Sequence, residues 1–125
     1  MSHPLSGRRV LLVEDEALVA MLLETILEEM GCVVVGPAAT VVDGLAMAAD
    51  PAPLDAALLD VNVAGRLVFP IAEALKARGV PFVFSTGYGE GGMPEEWRGQ
   101  ATIHKPFTED AIREALMKAL GVENA

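Results

Sequence analysis

The chain has 125 residues, 52 % of them hydrophobic, a single cysteine and a formal net charge of −9. That length suits one domain with a real core, and that apolar share excludes a disordered tail. Nine Lys and Arg against eighteen Asp and Glu make no basic face for nucleic acid, and no apolar run approaches the ~20 residues a membrane helix needs.

Residues 1–8 read as a loose lead-in without the apolar segment of a signal peptide, and His3 carries no functional reading. The expectation is a cytoplasmic protein, one domain over residues 1–125 with its core at about 8–121. Arg9-Val10-Leu11-Leu12-Val13 is a strand of the kind covered on both faces, followed at once by Glu14-Asp15-Glu16. A helix fits Ala17 to Met30, with Val19, Leu22, Leu23, Ile26 and Met30 on one stripe and Met21 and Leu27 off it. Gly31 suits its end.

Cys32 to Gly36 is a second strand, and Cys32, with no cysteine to pair with, reads as a small core residue. Thr40, with Asp43 three residues on, caps a helix that Asp50-Pro51 stops. Leu54 to Val61 is the third strand, carrying Asp60 near its end. Asn62 leads into a turn at Val63-Ala64-Gly65, and a helix spans about Val68 to Arg78, with Pro70 in its first turn and Gly79 beyond its end.

Pro81 to Ser85 is the fourth strand. Residues 87–94 then hold four glycines and a proline, so a regular helix is not expected, although Pro94-Glu95-Glu96-Trp97 fits a short one. Ala101 to His104 is a fifth strand. Thr108 caps a final helix with Ile112, Ala115, Leu116, Ala119 and Leu120 on its stripe, ended by Gly121. Strands alternating with helices imply a parallel sheet with helices on both faces.

In such sheets the ligand site lies beyond the carboxyl ends of the strands. Those ends carry Glu14 and Asp15, Asp60, Thr86 and Lys105. Converging carboxylates need a cation or a shared proton, and Mg²⁺ fits an oxygen set. An ammonium and a hydroxyl beside them suit a phosphoryl group. Each residue has a plainer reading: Asp60 as a turn residue, the acidic run as compensation of a helix dipole, Lys105 as a solvated lysine, His104 as an edge residue.

Taken together, Glu14-Asp15, Asp60, Thr86 and Lys105-Pro106-Phe107 resemble a response regulator receiver domain of two-component signalling, over essentially the whole length. The run Pro81 to Gly89 also resembles a receiver subfamily with a Phe-x-Phe-Ala/Ser-Thr-Gly-Tyr-Gly strand-four motif. The resemblance implies an α/β, flavodoxin-like (βα)5 doubly wound parallel sheet of order 2-1-3-4-5, with a weak or Gly-rich fourth helix. It implies that Asp60 takes a phosphoryl group from a sensor histidine kinase or histidine phosphotransferase, with Thr86 and Lys105 contacting the phosphoryl oxygens. Mg²⁺ is then held by Asp15, Asp60, the backbone carbonyl of Asn62 and, through water, Glu14. The family also implies a cis bond before Pro106.

Three departures bear on switching. Thr102 stands where most receivers have an aromatic, Asn62-Val63-Ala64-Gly65 replaces the usual Met-Pro after the acceptor, and a Gly-rich loop replaces much of the fourth helix. Switching is therefore expected in the Tyr88 loop through Thr86, and Tyr88 and Trp97 either meet a downstream partner or cover the sheet end. The expected protein is a stand-alone signalling module, not an enzyme, with autophosphatase chemistry of its own and no contact with nucleic acid or membrane. Two other classes compete. An aspartate-nucleophile phosphatase would want a second aspartate where Asn62 stands, and a flavodoxin-like cofactor binder would want a phosphate-cradling loop in place of Glu14-Asp15-Glu16.

Overall fold

The computed structural model describes residues 3–87 and 93–122. The apolar runs form a five-stranded parallel sheet. Its strands are β1 (Arg9–Val13), β2 (Val33–Ala38), β3 (Ala56–Asp60), β6 (Phe82–Thr86) and β7 (Thr102–His104), in the order β2-β1-β3-β6-β7. Counted along the chain without the short β4 and β5, that is the expected 2-1-3-4-5. The helices are α1 (Ala17–Glu29), α2 (Val41–Ala49), α3 (Phe69–Ala77) and α4 (Glu109–Leu120). Between β6 and β7 the described residues hold one short 3-10 turn, Glu95–Trp97, and no α-helix.

Side chains alternate along each strand, so the sheet feeds two cores. Leu11, Val13, Ala57, Leu59, Phe82 and Phe84 pack with α2, α3 and Trp97. Val10, Leu12, Ala56, Leu58, Val83 and Ile103 pack with α1 and α4. The caps are those the sequence indicates: Thr40 Oγ1 accepts from Asp43 N–H and Thr108 Oγ1 from Ala111 N–H, each at 3.1 Å. Gly44 lets α2 approach α3, because a Cβ there would lie 2.4 Å from Ile71 Cδ1.

Four expectations need correction. The lead-in is not loose, for Leu5 is fully buried, Cys32 Sγ–H points at its carbonyl, and Gly7 N–H bonds to Gly31. On α1 the phase is shifted: Leu27 is fully buried, whereas Leu22 is half exposed, and Leu18 and Met21 are more exposed still. The second strand runs two residues further than expected, to Ala38. The turn after Asp60 is a hairpin, β4 (Asn62–Val63) against β5 (Arg66–Leu67), with Ala64 at φ 51° and Gly65 at φ 81°. Positive φ at both turn residues matches the twist of a two-residue hairpin, at some steric cost to Ala64.

Trp97 is 5 % exposed. It stacks on Phe69 at 6.0 Å and meets Phe82 and Phe84 edge-on. Of the two readings of this residue, it covers the sheet and offers no exposed ring to a partner. Tyr88 lies outside the described residues.

Candidate functional site

The sheet delivers its polar residues to one end. β1 ends one residue before Glu14, β3 ends on Asp60, β6 on Thr86, and Lys105 follows β7. Lys105 N–H donates to the Thr86 carbonyl at 2.9 Å, and the Lys105–Pro106 peptide is cis. The lysine side chain crosses back over β6 to the centre of the sheet. Its Nζ lies 3.2 Å from Glu14 Oε1 and 3.2 Å from Asp60 Oδ2. Glu14 is 2 % exposed and Asp60 7 %, so this ion cluster is largely removed from water.

Its electrostatics follow from that burial. Burial first, then the hydrogen bond and charge of Asp60, push the Glu14 carboxyl up to about 8, although Lys105 acts the other way. Burial alone would lower Lys105, but the charges of Asp60 and Glu14 outweigh it and raise its pKa, so the ammonium persists. One cation does not neutralise two buried carboxylates and the nearby Asp15.

Glu14, Asp15 and Asp60 each offer an oxygen within 4.8 Å of the others. Asp15 is exposed, and its Oδ2 accepts from Ala64 N–H at 3.0 Å, tying the hairpin tip to the site. Asp60 Oδ1 accepts weakly from Asn62 N–H at 3.4 Å. Val68 N–H bonds the Val61 carbonyl. Antiparallel alternation then makes Asn62 and Leu67 a non-bonded pair, with the Asn62 carbonyl turned away from the hairpin ladder. Glu14, Asp15 and Asp60 form an acidic, hard-oxygen cluster of the kind that suits Mg²⁺.

Of the sequence-indicated residues, Glu14, Asp15, Asp60 and Lys105 come together. Thr86 is buried at the end of β6. His104 is exposed on β7 and alternates to the opposite face from Ile103 and Lys105. Glu16 is the N-cap residue of α1 but makes no capping bond with its side chain. Burial pushes the Cys32 thiol up to about 11, an inert core group. Two features escaped the sequence reading: the Ala64 N–H that holds Asp15, and the buried hydroxyl of Ser85.

The model for the response regulator receiver domain matches residues 10–117. The chain belongs to that family. Among solved structures it is similar to SdrG from Sphingomonas melonis Fr1, with 43% identity and a TM-score of 0.81 over 98% of this chain and 100% of that one. The receiver domain of the response regulator PhyR from Erythrobacter litoralis is 31% identical, with a TM-score of 0.79 over 96% of this chain and 95% of that one. The receiver domain of a sensor histidine kinase from Pseudomonas aeruginosa, solved with a magnesium ion coordinated in its active site cleft, is 22% identical. It shares the fold with a TM-score of 0.77 over 93% of this chain and 99% of that one. No curated protein matches in sequence. Among the described residues no helix is long and apolar enough to cross a membrane. The general role of the family, a receiver in two-component signalling that binds Mg²⁺ in an acidic pocket, is therefore the role of this chain's class.

Proposed function

We propose that Asp60 is the phosphoacceptor of this receiver. The carrying observation is the convergence of Lys105 Nζ on both Glu14 and Asp60 at 3.2 Å, with both carboxylates buried at the strand ends. An Asp60 oxygen attacks the phosphorus of a phosphohistidine on a sensor histidine kinase or histidine phosphotransferase. The P–N bond breaks, its electron pair stays on the imidazole, and an aspartyl phosphate forms. Lys105 follows the phosphoryl oxygens as the Asp60 charge is esterified, and Thr86 moves to donate its hydroxyl to one of them.

Asp15, Asp60 and the Asn62 carbonyl would hold Mg²⁺, with Glu14 acting through water. When bound, the ion neutralises negative charge on the transferred group. Water later attacks the phosphorus and returns Asp60 to its carboxylate, so the signal is reversible without a separate catalytic domain. The phosphorylated state alters protein contacts. We assign the chain to the strand-four subfamily on Phe82, Phe84, Ser85, Thr86 and Gly87; Tyr88 and Gly89 of that motif lie outside the described residues.

The partner face we assign is the exposed row Leu18, Met21 and Leu22 on α1, which begins two residues after Asp15. These positions share a helix face at i, i+3 and i+4. A helical histidine-bearing partner laid there would bring its phosphohistidine to the pocket.

The deciding experiment is intact mass after incubation with a small acyl phosphate and Mg²⁺. One phosphoryl group is expected on the wild type, and none on Asp60→Asn or on a chelated sample. An adduct that persists on Asp60→Asn refutes the assignment of the acceptor.

A further inference from the structure

The face that Asp60 occupies carries a buried hydroxyl. Ser85 is the register partner of Asp60 on β6 and of Ile103 on β7. Paired residues in a parallel ladder point to the same side of the sheet. Leu58 and Val83, two residues before Asp60 and Ser85, lie in the same core as Ile103, on the side of α1 and α4. Ser85, Asp60 and Lys105 therefore share that side. Thr86 alternates to the other side, with Phe84.

Ser85 is 2 % exposed, and its Oγ has no hydrogen-bond partner. An orphaned buried hydroxyl is uncommon and costly. Alanine would fill the same space without that cost. The Lys105 side chain reaches from the end of β7 to Asp60 on β3, and β6, which carries Ser85, is the strand between them. Serine has three staggered χ1 wells, so a turn about one bond re-aims the Oγ.

We infer that Ser85 donates a hydrogen bond to the Asp60 carboxylate as it leaves phosphorus, and so speeds loss of the phosphoryl group. The inference rests on the phosphoacceptor reading above. In the step, a water oxygen bonds to phosphorus and the bond from phosphorus to the Asp60 oxygen breaks. Its electron pair returns to the carboxylate, and the water proton leaves with inorganic phosphate. Negative charge grows on Asp60, where a donor strengthens as the transition state is reached. The resting carboxylate already draws on Lys105 and Asn62 N–H. The extra donor matters when Lys105 is engaged by the phosphoryl oxygens.

The test compares the lifetime of the phosphoryl group on wild type, Ser85→Ala and Ser85→Cys, labelled with acyl phosphate and Mg²⁺ and followed by intact mass after removal of the donor. Loss of one such hydrogen bond lengthens the lifetime about threefold to tenfold. Ser85→Cys keeps a single γ atom, slightly larger, but is a weak donor, so it should follow Ser85→Ala. Several outcomes overturn the inference. They are a Ser85→Ala lifetime unchanged or shortened, a Ser85→Cys lifetime equal to wild type beside a lengthened Ser85→Ala, and a folded Ser85→Ala that takes no label. An unchanged lifetime with raised thermal stability would mark a purely structural orphan. A wild type that takes no label overturns the phosphoacceptor reading itself, and this inference with it.

Discussion

In metal-free protein, Glu14 should make the fold lose stability as pH rises through neutrality. Burial beside Asp60 lifts its carboxyl from 4.5 to about 8 in the folded state. Between those values the folded protein holds a proton that the unfolded chain has released. A raised folded pKa contributes stability that is fully present below the unfolded value and is lost as pH climbs through the folded one. One proton corresponds to about 1.4 kcal/mol per pH unit, so the step from pH 6 to pH 8 costs on the order of 2 kcal/mol. For a domain of this size that lowers Tm by roughly 8 °C. The assay is thermal or urea unfolding in EDTA at pH 6, 7, 8 and 9, on wild type and Glu14→Gln. The wild type should lose stability to about pH 8 and then level off. Glu14→Gln has no carboxyl there and should be flatter by that amount, which cancels titrations elsewhere in the chain. Saturating Mg²⁺ favours the ionised carboxylate and should remove most of the loss. A metal-free wild type that is flat or gains stability from pH 6 to 8, or a Glu14→Gln that keeps the slope, refutes the reasoning.

Two other predictions test the scaffold and the partner face. Gly44→Ala gains about 1 kcal/mol of helix propensity but forces a Cβ against the buried Ile71 Cδ1. Overpacking costs about 1–3 kcal/mol, so urea unfolding should show net destabilisation. Ile71→Val, which removes Cδ1, should recover most of it in the double mutant; additive losses would show that the contact is not the cause. Leu18→Ser with Met21→Ser should slow phosphotransfer from a cognate kinase at least tenfold while leaving acyl phosphate labelling unchanged, measured by radiolabel transfer. Equal loss in both reactions would point to a damaged pocket, not a docking face.

The strands were legible because both faces of this sheet are covered, which turns each strand into an unbroken apolar run such as Val10 to Val13. The meeting of Glu14, Asp60 and Lys105 was legible for the same reason, since chemistry in a parallel sheet collects where those runs stop. The phase of α1 was not. From Ala17 to Leu23 every residue is apolar, so no polar position in that half marks its outer side, and the buried positions are Ala20, Leu23, Ile26 and Leu27. The burial of Leu5 depends on a contact with Cys32, 27 residues away, which local pattern does not reveal. The β4–β5 hairpin was hidden by its two-residue strands and by Ala64 where Asn or Asp would announce the turn. Ser85 was read as part of an apolar run; its chemistry is visible only once register places it beside Asp60.

The two hydroxyls at the end of β6 are adjacent in sequence but alternate to different sides of the sheet. Ser85 shares the side of Asp60 and Lys105. Thr86 follows Phe84 onto the side where Phe69, Phe82, Phe84 and Trp97 pack edge-to-face and stacked. If Thr86 rotates toward a phosphoryl oxygen on Asp60, it withdraws from that aromatic side, and Trp97 is the packed ring on the segment leading into β7. Such a relay needs no aromatic at position 102, where Thr102 bonds the Gln100 carbonyl instead. Trp97 is the single tryptophan, so its emission reports the aromatic cluster directly. Beryllofluoride with Mg²⁺ should shift that emission in wild type, and Thr86→Ala should abolish the shift while still binding the ligand. A Trp97 signal that moves equally in Thr86→Ala would take Thr86 out of the path and leave the hairpin, held to Asp15 through Ala64, as the element that responds.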